Sequence, residues 1–93
     1  MSSSRPSISV SVPSPLRSYT DGEARVTLVG DSLKSLFREM DRQYPGIRFR
    51  MIDEMGSVRR HIKVYVNGDA TDDLDHPLQG GDEVFLVAAL SGG

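Results

Sequence analysis

Apolar and polar residues alternate in several stretches of this chain and follow a helical period in another. In Ser7-Ile8-Ser9-Val10-Ser11-Val12, Ile8, Val10 and Val12 fall on one face and three serines on the other. That is the pattern of a strand with one buried side. Pro13 and Pro15 end it, Asp21-Gly22 signals a turn, and Ala24, Val26 and Leu28 resume the alternation, so the two strands are expected to form a hairpin. Leu33, Leu36, Phe37, Met40 and Tyr44 then recur at spacings of three and four, one apolar stripe of a helix whose Lys34, Arg38, Glu39, Asp41 and Arg42 are expected to face water. Asp31 or Ser32 can cap its start, and Pro45-Gly46 stops it.

From Ile47 to Arg60 the period is unclear. Ile47, Phe49, Met51, Ile52 and Met55 suggest a loop partly packed on the core, with a short strand near Arg48-Phe49-Arg50 and an exposed turn at Gly56-Ser57. His61 to Val66 alternates again with Ile62, Val64 and Val66 inward, and Asn67-Gly68 is a hairpin signal that should turn Ala70 to Asp72 back as a short partner. Asp75-His76-Pro77-Leu78 reads as a capped turn with Leu78 buried. Gly80-Gly81-Asp82 leads tightly into a last strand, Asp82 to Ala89.

The chain then ends on Leu90-Ser91-Gly92-Gly93. A terminal glycine pair arises by chance about once in 200 chains at roughly 7% glycine, and a frayed end would tolerate it. Its place directly after a strand gives it another meaning. Four extended residues carry the Gly93 carboxylate roughly 13 to 14 Å beyond the fold, and two residues without Cβ make a strand thin enough for a narrow channel in a partner. Residues 1–7 are expected to be a disordered lead-in, 8–89 one domain and 90–93 a flexible tail.

Composition narrows the chemistry. At 93 residues with 38% hydrophobic content, one core is expected. The absence of cysteine removes disulfides, thiolate metal sites and any sulfur carried on a thiol of this chain. A net charge of −2, three Tyr, three Phe and no Trp disfavour nucleic acid as a partner. No apolar run reaches the roughly 20 residues of a membrane helix, and the N-terminus lacks the apolar centre of a signal peptide. A soluble, cytoplasmic protein is expected. His61 and His76 have no metal-ligand spacing, no phosphate-binding glycine loop opens a helix, and so neither a bound cofactor, a metal nor an enzyme activity is expected.

Two charged regions remain. Arg48, Arg50, Arg59, Arg60 and Lys63 gather around the long connection, as a partner surface or as a solvated face. From Asn67 onward there are six acidic residues and no lysine or arginine, which either solubilises that face or steers the tail toward a basic partner. In the last strand Val84, Leu86 and Ala88 point one way and Phe85, Val87 and Ala89 the other. Phe85 and Val87 are then either an exposed docking patch beside the tail or covered by the loop after Pro45.

The element order defines an α+β fold, a β-grasp with a mixed four- to five-stranded sheet packed on one main helix. Val64-Tyr65-Val66-Asn67-Gly68, Asp75-His76-Pro77-Leu78, Gly81-Asp82-Glu83-Val84 and the terminal Ser91-Gly92-Gly93 occur in that order. Together they resemble the ubiquitin-like sulfur carrier proteins of the MoaD and ThiS type over nearly the whole chain after Ser7. The resemblance implies that an ATP-dependent activating enzyme recognises Leu90, Ser91 and Gly92 and adenylates Gly93. A sulfur donor then converts Gly93 to a thiocarboxylate, and a biosynthetic acceptor enzyme takes the sulfur. Asp75-His76-Pro77-Leu78 is similar to the small subunit of molybdopterin synthase. The long connection from Pro45 to Arg60 is more like carriers that supply sulfur for cysteine or sulfur-containing metabolites. A modifier joined through Gly93 to lysines, or a β-grasp interaction module with an inert tail, are the alternatives.

Overall fold

The structure is a computed structural model that describes residues 6–89. Five strands, β1 (Ser7–Ser11), β2 (Arg25–Val29), β3 (Ile62–Val66), β4 (Asp69–Ala70) and β5 (Glu83–Ala88), form one sheet in the order β2-β1-β5-β3-β4. β1 runs antiparallel to β2 and parallel to β5, and β3 is antiparallel to both β5 and β4. The expected hairpins are present. Ser7 already pairs with Val29, and the Gly30 N–H donates to the Pro6 carbonyl at 3.1 Å, so the sheet starts one residue inside the expected lead-in.

The helix α1 (Leu33–Gln43) covers one face of this sheet. Ser32 caps it: its Oγ accepts from the Ser35 N–H at 3.2 Å, and the Ser35 Oγ accepts in return from the Ser32 N–H at 3.1 Å. This is a capping box with serine in place of the usual glutamate. Leu33, Leu36, Phe37 and Met40 are buried with Ile8, Val10, Val26, Leu28, Val64, Val84 and Leu86 in a single core. Glu39, expected to face water, is 9% exposed. Its carboxylate pairs with Arg42 and accepts from the Gln43 Nε2 at 3.0 Å, which offsets the desolvation of a charge at the edge of the stripe.

Two segments depart from expectation. Between β1 and β2 the chain forms a 3-10 helix (Ser14–Thr20), seated by the buried Leu16 and Thr20, where only a turn was legible. The proline-fixed φ values that end the strand also suit such a helix. Arg48-Phe49-Arg50 is not a strand but lies inside a second helix, α2 (Ile47–Met51). Ile47 and Met51, four apart, are both buried, while Phe49 between them is 59% exposed. The Asp41 Oδ1 accepts from the N–H groups of Gly46 (3.1 Å) and Arg48 (3.2 Å), so a side chain of α1 caps the turn that starts α2.

The stretch after β4 is stitched to α1. The Leu33 N–H donates to the His76 carbonyl (3.1 Å), the Lys34 N–H to that of Leu74 (2.8 Å), and the Leu78 N–H to that of Asp31 (3.0 Å). Amides that helices leave unpaired at their first turn are thereby satisfied. The single turn expected at Asp75 starts earlier, with the His76 N–H donating to the Asp73 carbonyl, and Leu78 is buried as expected.

Gly30 sits where β2 meets α1, and a Cβ there would lie 2.7 Å from the Leu36 Cα. The opposing atom is helix backbone, which cannot swing away. Gly30→Ala is expected to cost about 1 to 3 kcal/mol, read as a lower urea midpoint. Gly80→Ala, with nothing within 4 Å of the added methyl, should leave the midpoint nearly unchanged.

Candidate functional site: the end of β5 and its outer face

The site is built on β5, which lies in the middle of the sheet with β1 on one edge and β3 on the other. Val84 and Leu86 face α1 and are buried, whereas Phe85 and Val87 are 40% and 45% exposed on the opposite face. The loop after Pro45 does not cover them, because it folds into α2 and packs through Ile47 and Met51. The register sets Phe85 between Ser11 and Tyr65, with Val87 opposite Lys63. Tyr65 is the residue missed by sequence reasoning. It is half-buried on the same face, and its odd position in β3, out of phase with Ile62, Val64 and Val66, was the signal for it.

The strand continues in register to the last described residue. The Ala89 N–H donates to the His61 carbonyl at 2.8 Å, so the root of the tail is tied to β3. Leu90, Ser91, Gly92 and Gly93, the expected recognition and activation residues, lie outside the described residues. Around the root, the basic cluster is partly fixed. Arg59 places its guanidinium 4.6 Å from the Phe49 ring centroid and donates through Nε to the Phe49 carbonyl at 2.7 Å. Arg50 donates through Nε to the Tyr19 hydroxyl at 2.7 Å.

At the other end of β5, Asp82 joins two turns. Its Oδ1 accepts from the Asn67 Nδ2 (3.0 Å) and its Oδ2 from the Gln79 N–H (2.8 Å), while the Asn67 Oδ1 accepts from the Glu83 N–H (3.0 Å). Asn67 and Gly68 both hold positive φ, as the two-residue hairpin turn requires. Among the described residues, no three His, Cys, Asp or Glu side chains are placed to share a metal ion. None of the described helices is long and apolar enough to cross a membrane.

A mixed five-stranded sheet packed on one main helix, with the last strand at its centre, is a β-grasp fold of the ubiquitin-like class. The ThiS family matches residues 10–93, and the chain belongs to that family. It is a sulfur carrier, acted on by enzymes and not itself one. It is 31% identical over 91 residues to the sulfur carrier protein CysO of Mycobacterium tuberculosis, an alignment covering 92% of this chain and 98% of that one. CysO of Amycolatopsis orientalis, solved in complex with BexX, superposes with a TM-score of 0.85 at 29% identity, covering 92% of this chain and 99% of that one. SAMP1 of Haloferax volcanii gives a TM-score of 0.79 at 24% identity over 94% of this chain and 99% of that one, a likeness of fold alone.

The Asp82 carboxyl is held below the usual carboxylate range, first by the Asn67 side chain, then by the Gln79 N–H, with a smaller contribution from His76. A carboxyl whose folded pKa is depressed adds stability above its unfolded pKa of about 3.9, and that stability is lost as pH falls through the folded value. Asp82→Asn is therefore expected to lower the urea midpoint modestly at pH 7. The gap from the parent protein should close as the pH is taken below about 4.

Proposed function

We propose that Gly93 is the reacting residue and that its carboxylate is activated and thiolated while the domain serves as a handle. A carboxylate resists a nucleophile until one oxygen becomes part of a leaving group. Attack of the Gly93 carboxylate on the α-phosphorus of ATP, in the active site of an activating enzyme, releases pyrophosphate and leaves an acyl adenylate. A donor that supplies sulfur at the oxidation level of sulfide then displaces AMP, leaving a thiocarboxylate at Gly93. An acceptor biosynthetic enzyme takes that sulfur, the product being cysteine, molybdopterin or a sulfur-containing metabolite. The observation that carries this reading is the hydrogen-bonded continuation of β5 to Ala89, which roots the tail on a strand paired along both edges. The cysteine-free sequence supports the same view, because it offers no thiol to hold sulfur.

Leu90, Ser91 and Gly92 would lie along the channel of the activating enzyme, and Phe85 with Val87 would dock on its surface. Identity to CysO proteins supports the carrier over the modifier, and the solved pairing of a relative with BexX supports a biosynthetic partner. Intact-mass measurement of the protein from its own cells tests the proposal. A fraction should carry sulfur in place of one terminal oxygen. Its absence, together with Gly-Gly remnants on the lysines of larger conjugates, would overturn the carrier in favour of the modifier.

Two variants separate the parts. Gly92→Ala should fold normally yet slow ATP-pyrophosphate exchange with the activating enzyme by about 10- to 100-fold, the cost of misplacing a reacting group by about 1 Å. Phe85→Arg should raise the KM for the carrier in that assay on the order of tenfold with little change in kcat, because an interface anchor is lost while the tail is intact.

A further inference from the structure

The outer edge of β3 is incompletely covered. The Ala89 N–H donates to the His61 carbonyl and the Asn67 N–H to that of Glu83, so the odd-numbered residues of β3 bond to β5 and the even-numbered ones turn their backbone groups outward. β4 satisfies only the far part of that edge: Val66 pairs with Asp69, and the Thr71 N–H donates to the Val64 carbonyl at 2.9 Å. At the near part the Ile62 N–H donates to the Arg59 carbonyl at 2.9 Å. The Ile62 C=O and the Val64 N–H are left without a backbone partner among the described residues. They flank Lys63, and a single residue of a strand running parallel to β3 can donate to the first and accept from the second.

The two open groups face a groove of about 410 Å³ whose charged lining is Arg59, Arg60 and Lys63 against one carboxylate, Asp72. Open strand edges are usually shortened, bulged or covered. Here the covering strand stops after two residues and the edge beyond it opens onto that groove. From this geometry we infer that the Ile62–Val64 edge of β3 receives an extended acidic segment of a partner protein as an added parallel strand. The backbone pair sets the register and the three cations select the charge. The inference does not depend on any reaction at Gly93.

The test titrates the full-length ¹⁵N-labelled protein with a blocked heptapeptide of alternating glutamate and valine. The Val64 amide proton should move downfield and exchange about fivefold or more slowly with solvent on forming a hydrogen bond, while the Phe85 and Val87 amides stay in place. The double variant R60E/K63E, altered only at exposed side chains, should bind the peptide about tenfold more weakly. The same peptide with lysine for glutamate should not bind. The inference is overturned by no change at Val64, by changes centred on Phe85, or by equal binding of the lysine peptide or of the double variant. A Val64 amide already protected in the peptide-free protein in a concentration-dependent way would also overturn it, since a second copy would then occupy the edge.

Discussion

The parallel pairing of β1 with β5 is the constraint from which the rest of this molecule follows. It puts the last strand in the centre of the sheet, between the first strand and β3, so both of its edges are hydrogen-bonded and its inner face lies under α1. Central strands open only with the unfolding of the unit they belong to. Ala89, the last described residue, is therefore held at a fixed point by the 2.8 Å bond from its N–H to the His61 carbonyl. A partner that binds at this end of β5 gains from this: less freedom is lost on binding when the root is already ordered.

A parallel pairing of first and last strands needs a long crossover, and polar contacts add to the core in ordering its connections. Carbonyls of Leu74 and His76 receive the first amides of α1, Asp41 caps α2, and Asp82 with Asn67 ties the β3–β4 turn to the start of β5. Apart from α1 and α2 themselves, the connections these bonds hold bury few apolar side chains. Between β4 and β5 Leu78 is buried in the core and Leu74 packs against it, and the Leu78 amide donates to the Asp31 carbonyl at the start of α1.

The elements legible in the sequence are those in which one residue face is buried and the period is long enough to count. Ile8, Val10 and Val12, the stripe from Leu33 to Met40, and the alternation through Ile62, Val64 and Val66 all point where they were expected to point. The α2 segment was illegible because in five residues Ile47, Phe49 and Met51 fit a strand period as well as a helical one. The helix is accompanied by contacts distant in sequence, the cap from Asp41 of α1 and the burial of Ile47 and Met51 in the core. The exposure of Phe85 and Val87 had the same cause. It depends on where the loop after Pro45 folds, which no local pattern in β5 encodes. The reading of Ser91, Gly92 and Gly93 rests on their position in the sequence and not on packing, and they lie outside the described residues.

The charge distribution along β5 bears on how a partner meets the tail. Asp69, Asp82 and Glu83 gather at the start of the strand, beside the Asn67-Gly68 turn, whereas His61 with Arg59 and Arg60 adjoins its end. Six residues of strand separate the two ends by about 20 Å, beyond the Debye length of about 8 to 10 Å at physiological salt. Those three carboxylates are therefore largely screened from the Ala89 end of the strand. Toward that end Arg59, Arg60 and Lys63 outnumber the one carboxylate of their groove, Asp72. Arg59 is held in place there by its stacking on Phe49, so it meets a partner as an ordered cation at little further cost in side-chain entropy. A partner that docks at the Ala89 end of β5 therefore meets a positive edge and is matched by an acidic or neutral rim.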